Sequence, residues 1–166
     1  MADRLAHAPL TAIYSSPLER AVETAQPLAG RLNLEIFLKE ELLETDYGDW
    51  QGKTLKGLQR RKLWRTVQHT PSQARFPGGE SFAECQQRVC HLLQSLCAQH
   101  EPQQVIACVF HADPIKLAVA HFIGLPLDHF QRLSSAPASV TALHIADNRA
   151  HLITLNYQLS LNFPKP

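Results

Sequence analysis

An arginine lies just after a strand end in this sequence, among groups that bind anions. The stretch Ala12–Ala25 reads as a short apolar strand that stops at two serines and turns directly into a helix. Ser16 is placed to cap that helix together with Glu19, and Arg20 falls in its first turns. Because a helix N-terminus presents free N–H groups and a partial positive charge, Ser16 and Arg20 predict a site for an anion such as phosphate. Arg20 alone fits equally well a surface position on an amphipathic helix.

A histidine occupies a second junction of the same kind. The apolar strand Gln104–Phe110 ends just before His111, and Asp113 and Pro114 are placed to start the next helix. In open sheets of parallel strands, ligands bind beyond the carboxyl ends of the strands. Arg20 and His111 are therefore expected to face one crevice if their strands are neighbours. The alternative is a buried histidine that only satisfies its own hydrogen bonds.

A carboxylate precedes a tight, aromatic turn in the stretch Leu43–Gly52. Glu44 can serve as a general acid or base there if it is partly removed from water. A solvated loop acid is the alternative, and the local sequence by itself favours it. Asp46 and Asp49 are expected to be solvated or structural.

The predicted elements place these residues in an alternating α/β chain. We expect a three-layer α/β sandwich with a mostly parallel sheet, in which Gln104–Phe110 is buried on both faces. The predicted strands are Thr11–Ser15, Leu34–Leu38, Gln104–Phe110, Ser139–Ile145 and His151–Leu155, the last two joined by a turn at Asp147–Arg149. The predicted helices are Pro17–Leu32, Leu55–Val67 capped by Thr54, one opened by Ser81 with Glu84, and one from Asp113 to Gly124.

Composition narrows the class of protein. The 166 residues are enough for one domain with a sizeable core, and 45% of them are apolar. A net charge of +1 gives no indication of a nucleic-acid or membrane partner. The first residues lack the apolar core of a secretory signal, and the four cysteines include no C-x-x-C pair, which favours reduced thiols in the cytoplasm. The nine histidines lack the spacing of metal ligands, so no metal site is expected.

Four stretches, in this order and spacing, resemble motifs of the histidine phosphatase superfamily, the phosphoglycerate mutase-like proteins. They are Ser15–Ala25, which is similar to an arginine motif, Leu43–Gly52, similar to an acid motif, Phe76–Ser81, similar to the loop before a long helix, and Phe110–Lys116, similar to a histidine motif. The resemblance covers essentially the whole chain. It implies a phosphoglycerate mutase-like sandwich and a phosphatase that acts on a small phosphorylated metabolite.

The resemblance also implies roles for individual residues. In this family a histidine attacks phosphorus and forms a phosphohistidine, which water then hydrolyses. Arg20 would be the second phosphate-binding arginine and His111 the second histidine of the pocket. Glu44 would give a proton to the leaving group. The phosphatases of the family need no metal or dissociable cofactor, so none is expected.

One family motif is absent from the sequence. The family begins with a strand that ends in Arg-His-Gly and supplies the nucleophile, and these 166 residues contain no such triplet. Met1–Ala8 resembles the end of the helix that follows that strand, and His7 there is no substitute. We therefore expect a domain without its first strand and a polypeptide with little or no activity. A misassigned start codon explains this most simply. The rival is a degenerate member that serves as a non-catalytic phosphate-binding or interaction module.

The missing strand has consequences for assembly. Exposed edges are expected beside Ala12–Ser15 and Val105–Phe110, so that either these two strands close up or a neighbouring chain pairs with them as a homodimer.

The short segment between Gly52 and Gly79 favours a plain phosphatase over a mutase. Trp50, Trp64 and Phe76 are expected in the core rather than at the mouth of the pocket, and Arg132 at the surface.

Overall fold

A computed structural model describes residues 2–5, 7–146 and 149–158. Its central sheet is parallel, with strand β1 (Leu10–Ser15) between β2 (Ile36–Leu38) and β3 (Val105–Val109). Ile13 lies opposite Ile36 on one side and Ala107 on the other. Strands β1 and β3 therefore pair directly, which is the first of the two outcomes expected for their edges.

Helices cover both faces of this sheet and make three layers. Alternate residues of a strand point to opposite faces. Ala12 and Tyr14 of β1 pack with Leu92 and Leu96 of the long helix, whereas Ile13 packs on the other face with Leu28. The helices are α1 (Ala2–Leu5), α2 (Glu19–Leu32), α3 (Leu55–Leu58), α4 (Lys62–His69), α5 (Phe82–Gln99) and α6 (Ala112–Phe122). The α/β sandwich with a parallel sheet is confirmed.

A hairpin follows α6 as a separate sheet. Strands β4 (Val140–Ala146) and β5 (Arg149–Tyr157) pair antiparallel, with Ala146 opposite Arg149. This confirms the two predicted strands, while Asp147 and Asn148 of the predicted turn lie outside the described residues. Within the described chain, neither strand of the hairpin pairs with the central sheet.

Strand β3 is less buried than its apolar sequence predicts. Val105 is exposed and the four residues after it are only half-buried. The expectation of a strand buried on both faces is wrong, because among the described residues β3 has a strand partner on one side only.

Two of the four predicted helix caps are confirmed. Ser81 and Glu84 form a complete capping box at the start of α5, and Thr54 Oγ1 accepts from Gly57 N at 3.3 Å. The capping box at Ser16 and Glu19 is wrong. Helix α2 begins at Glu19 after Leu18, two residues beyond Pro17, and no side chain caps it.

The predicted start of α6 is also wrong in detail. His111, rather than Asp113, is the N-cap residue, and its side chain makes no capping bond. Asp113 and Pro114 are the second and third residues of the helix, where a missing N–H costs no helical bond. Gly124, with φ at +72°, terminates α6 as predicted, because Gly124 N and Leu125 N bond back to His121 O and Ala120 O.

The predicted helix Leu55–Val67 is two helices in the structure. Leu58 and Val67 belong to the same buried cluster. Residues nine positions apart lie on opposite faces of one α-helix, so a single helix is unable to bury both against that cluster. The chain breaks at Arg61, which has an extended backbone, and α4 then starts in a new phase.

The structure gives the state of the cysteine thiols and the lengths of the apolar helices. All four cysteines are free thiols, with Cys85 and Cys90 buried, Cys97 exposed and Cys108 half-buried. No helix in the described residues is both long and apolar enough to cross a membrane.

Candidate active site

Two side chains from neighbouring strand ends meet at the carboxyl edge of the central sheet. Ser16 Oγ lies 2.9 Å from His111 Nε2, and both residues are buried. Ser16 N bonds to Val109 O at 2.9 Å, so the pairing of β1 with β3 continues one residue past β1. Ser16 Oγ also accepts from Leu18 N at 3.3 Å, and the hydroxyl thus faces the histidine instead of capping α2.

His111 is uncharged at neutral pH. Burial is the largest cause that lowers its pKa to about 4, and the positive charges of Arg20 and Arg88 add to the effect. The same positive charges that disfavour a protonated His111 ring stabilise an anion bound beside it.

Arg20 stands beside this pair. It is the second residue of α2 and its side chain is exposed. Its guanidinium charge acts on His111 and also on Glu44, lowering the pKa of each. The structure thus brings Arg20, His111 and Glu44 together at one end of the sheet.

Glu44 is half-buried, and its pKa is raised. Burial is the main cause, and the negative charge of Asp113 adds to it. The backbone N–H of Thr45, which donates to Glu44 Oε1 at 3.0 Å, opposes the shift, as do the charges of Arg20 and Lys116. A carboxyl group of this kind holds its proton to higher pH than a solvated one and is suited to proton donation. Glu44 is therefore not a fully solvated loop acid.

Sequence reasoning missed a polar chain next to Glu44. Tyr47 Oη donates to Asp113 Oδ2 at 2.7 Å, and Lys116 Nζ lies 2.6 Å from Asp113 Oδ1. Lys116 also stands over the Phe130 ring, 5.2 Å from its centroid. The local sequence predicts Asp113 as a helix cap and carries no signal for its contact with Tyr47, a residue 66 positions earlier.

The loop that carries Glu44 is bound to the loop before α5. Glu80 N donates to Asp46 O at 3.0 Å, and Asp49 N donates to Pro77 O at 2.8 Å. Asp46 Oδ1 accepts from Gly48 N and from Gln51 Nε2, both at 2.9 Å. Asp46 is therefore structural, and two of the sequence motifs form one unit.

The remaining residues singled out in the sequence lie in the core or at the surface. Trp50 and Phe76 are buried in the core, 5.3 Å apart between ring centroids, and Trp64 stacks on Trp50. Arg132 is exposed at the end of the short helical turn Leu127–Arg132. His7 is exposed in a turn after α1 rather than on the helix itself.

Comparison with known proteins shows the family of this chain. The profile of the histidine phosphatase superfamily (branch 1) matches residues 1–158. The chain belongs to this superfamily. Phosphoserine phosphatase 1 of Hydrogenobacter thermophilus is 30% identical over 158 residues, which make up 94% of this chain and 74% of that protein. The glucosyl-3-phosphoglycerate phosphatase of Mycolicibacterium vanbaalenii is 30% identical over 131 residues, 71% of this chain and 56% of the relative.

Solved structures of histidine phosphatase superfamily relatives share the fold. Bacillus stearothermophilus YhfR superposes with a TM-score of 0.83 at 30% identity, covering 92% of this chain and 76% of that one. A mycobacterial glucosyl-3-phosphoglycerate phosphatase in complex with VO3 gives 0.84 at 28% identity, covering 95% and 81%. The resemblance seen in the sequence motifs is confirmed, and phosphatases are among the relatives.

Proposed function

We propose that the cluster around Ser16 and His111 is the phosphate pocket of a phosphomonoesterase that works through a phosphohistidine. The observation that carries the proposal is the hydrogen bond between Ser16 Oγ and His111 Nε2, near the Arg20 guanidinium and at the carboxyl ends of parallel strands. Buried donors and a cation at this edge are suited to a phosphoryl group that carries two negative charges.

The reaction would proceed in two displacements. A histidine nitrogen forms a bond to phosphorus while the bond to the leaving oxygen breaks, and Glu44 gives its proton to that oxygen. Water then attacks phosphorus, Glu44 takes the proton from the water, and the P–N bond breaks to release inorganic phosphate. Arg20 and His111 would hold the phosphoryl oxygens throughout, and Ser16 would orient the His111 ring.

The 166 residues do not include the nucleophile that this scheme requires, since they contain no Arg-His-Gly triplet. We infer that this polypeptide binds phosphate without turnover. The second candidate is a phosphate-binding or interaction module on the same fold, for which the buried pair of Ser16 and His111 beside Arg20 would suffice.

The substrate would be a small phosphorylated metabolite. Relatives are described as acting on phosphoserine and on glucosyl-3-phosphoglycerate. We propose the same broad class for this chain. The short segment between Gly52 and Gly79 supports hydrolysis rather than the transfer of phosphate between two positions.

The experiment compares three polypeptides on p-nitrophenyl phosphate and on a panel of phosphorylated metabolites. They are the 166-residue chain, the same chain preceded by a strand that ends in Arg-His-Gly, and a control in which the added histidine is alanine. Turnover by the second polypeptide alone is expected, with orthovanadate binding to all three. Turnover by the 166-residue chain would contradict the inferred inactivity. No turnover by any polypeptide, with vanadate still bound, would favour the binding module.

We also propose that the chain associates with a second copy through an exposed strand edge. The support is that β3 has a strand partner on one side only within the described residues. Light scattering over a concentration series is expected to show a dimer. A monomer at the highest concentration would contradict this proposal.

A further inference from the structure

Arg88, in the middle of α5, bonds to the backbone of the segment that carries Glu44. Its Nη1 donates to Glu41 O at 2.7 Å and to Leu43 O at 3.1 Å. These carbonyls belong to the residues three before and one before Glu44. The side chain of Arg88 is largely buried, with 23% of its surface exposed, and no motif in the sequence pointed to it.

Glu80 links Arg88 to the backbone that follows Glu44. Nε and Nη2 of Arg88 reach the two carboxylate oxygens of Glu80, at 3.3 and 2.5 Å. Glu80 Oε1 in turn accepts from Asp46 N at 3.0 Å, and Glu80 N donates to Asp46 O at 3.0 Å. One ion pair thus fastens the backbone both before and after Glu44.

The residue after Glu44 also packs against α5. Thr45 is buried, and its Oγ1 lies 3.4 Å from Cys85 Sγ. Arg88 Nη2 also lies 3.4 Å from the same sulfur. The chain on either side of Glu44 is therefore bound to α5 and has little freedom to move toward solvent.

We propose that Arg88 and Glu80 are positioning residues for Glu44, an inference that rests on the proton-donor role given to Glu44 under the proposed function. A planar guanidinium bound to four oxygen atoms fixes the segment in one geometry, which a flexible ammonium does not. By holding the segment against α5, the pair keeps water from Glu44 and so keeps its carboxyl protonated to higher pH. Neither residue touches the phosphoryl group in this scheme.

The chain offers a matched ion pair for comparison. Arg75 and Glu84 also link the loop before α5 to that helix, and Arg75 Nη1 donates to Gly79 O at 3.2 Å. Their side chains are more exposed, at 59% and 47%. The Arg75 guanidinium bonds to Gly79 and Glu84 rather than to the segment that carries Glu44, so its replacement disturbs a similar ion pair and leaves the bonds of Arg88 in place.

The experiment uses Arg88→Lys and Arg75→Lys, which both keep the positive charge. Amide hydrogen exchange and the NMR titration of the Glu44 carboxyl are measured in the 166-residue chain. In Arg88→Lys, exchange at Asp46 and Glu80 is expected to rise about tenfold or more, with the pKa of Glu44 falling toward its ordinary value as water enters. Amides of Ile13 and Leu92 should be unchanged in both variants, and Arg75→Lys should leave Glu44 as it is.

Equal effects of the two variants, or an unchanged pKa of Glu44 in Arg88→Lys, would overturn the proposal. If Arg88→Lys fails to fold, Glu80→Gln serves instead, because its amide oxygen still accepts from Asp46 N while the ion pair is lost. It is expected to give the same local exchange and the same fall in pKa, and no change would count against the proposal. Neither readout needs turnover, so a failure of the phosphatase assay remains distinguishable from a failure here.

Discussion

Ser16 Oγ and His111 Nε2 lie 2.9 Å apart, although 95 positions separate the two residues in the chain. The contact depends on the register of two strands, in which Ser15 is opposite Val109. Because side chains alternate between the faces of a sheet, a slip of one residue would turn Ser16 away from the histidine. The site is therefore a direct consequence of how β1 pairs with β3.

The first prediction concerns the charge on His111. Its ring is expected to titrate at a pKa of about 4 in the empty protein, and bound phosphate should raise that value because a dianion stabilises imidazolium. The folded-state pKa lies below the unfolded value of about 6.5, so the unfolded chain binds the proton first. Between pH 6.5 and about 4 the His111 ring is protonated in the unfolded chain but not in the folded one. The free energy of unfolding is therefore expected to fall as the pH is lowered through this range.

NMR titration of the His111 ring, with and without phosphate, measures both values. Arg20→Gln is expected to raise the empty-state pKa, because one of the two cations that oppose imidazolium is gone. An ordinary pKa for His111 in the unmodified chain would show that the ring is not enclosed as described.

The second prediction concerns Arg20 as a phosphate contact. Arg20→Gln is expected to weaken the binding of orthovanadate by about 10- to 100-fold, the range of a charge-assisted hydrogen bond of roughly 1.5–3 kcal/mol. Arg149→Gln removes the same charge from an exposed position on the hairpin and should leave the affinity unchanged. Calorimetric titration of the two variants distinguishes a specific contact from a general loss of positive charge, which would weaken both equally.

The sequence predicts the local parts of this molecule better than the contacts between them. Ser81 and Glu84 lie three residues apart, so their capping box is visible in the chain and is confirmed. The sequence likewise predicts that Arg20 and His111 face one crevice if β1 and β3 are neighbours, because parallel strands end at the same edge of a sheet. Tyr47 and Asp113 are different, since their hydrogen bond depends on how the acid loop packs against α6. Their residue types are equally compatible with a core tyrosine and a helix cap.

Ser16 shows how a correct residue can be assigned a wrong contact. A serine before Pro17 and Glu19 is a strong capping signal, yet Ser16 Oγ is held by His111 and α2 starts later. The tertiary hydrogen bond between two buried groups outweighs a cap that water can replace. The break at Arg61 has a similar origin, because burial of both Leu58 and Val67 overrides the propensity for one continuous helix.

The third prediction concerns the hydrogen bond from Tyr47 to Asp113. Burial and the charges of Asp113 and Glu44 raise the pKa of Tyr47 far above its ordinary value, so the phenol stays protonated and donates. Tyr47→Phe is expected to lower the free energy of unfolding by about 1.5–3 kcal/mol and to weaken vanadate binding, because the Asp113 carboxylate loses a donor near the pocket.

Tyr14→Phe is the matched control for Tyr47→Phe. Tyr14 Oη shares a hydrogen bond of 2.9 Å with His100 Nε2, and His100 is the residue that follows α5. It is expected to lower stability by about 1 kcal/mol without changing vanadate affinity. Denaturant titration and calorimetry of both variants check the pair, and an equal change in affinity would argue against a local effect of Tyr47.

The fourth prediction concerns the close approach of the acid loop to the loop before α5. A Cβ on Gly79 would lie 2.2 Å from Asp46 O and 2.7 Å from Gly48 N, both backbone atoms that are unable to rotate away. Gly79→Ala is therefore expected to destabilise the fold by about 3 kcal/mol and to shift the pKa of Glu44 toward its ordinary value as the loops separate.

Gly30→Ala makes the same chemical change where there is room. Gly30 lies in α2 with nothing within 4 Å of an added Cβ, and alanine there should raise stability by about 1 kcal/mol through helix propensity. Thermal unfolding of both variants, with NMR titration of Glu44, measures the contrast. If Gly79→Ala is tolerated and the pKa of Glu44 is unchanged, the two loops are not in backbone contact. The hydrogen bonds between Glu80 and Asp46 would then be contradicted as well.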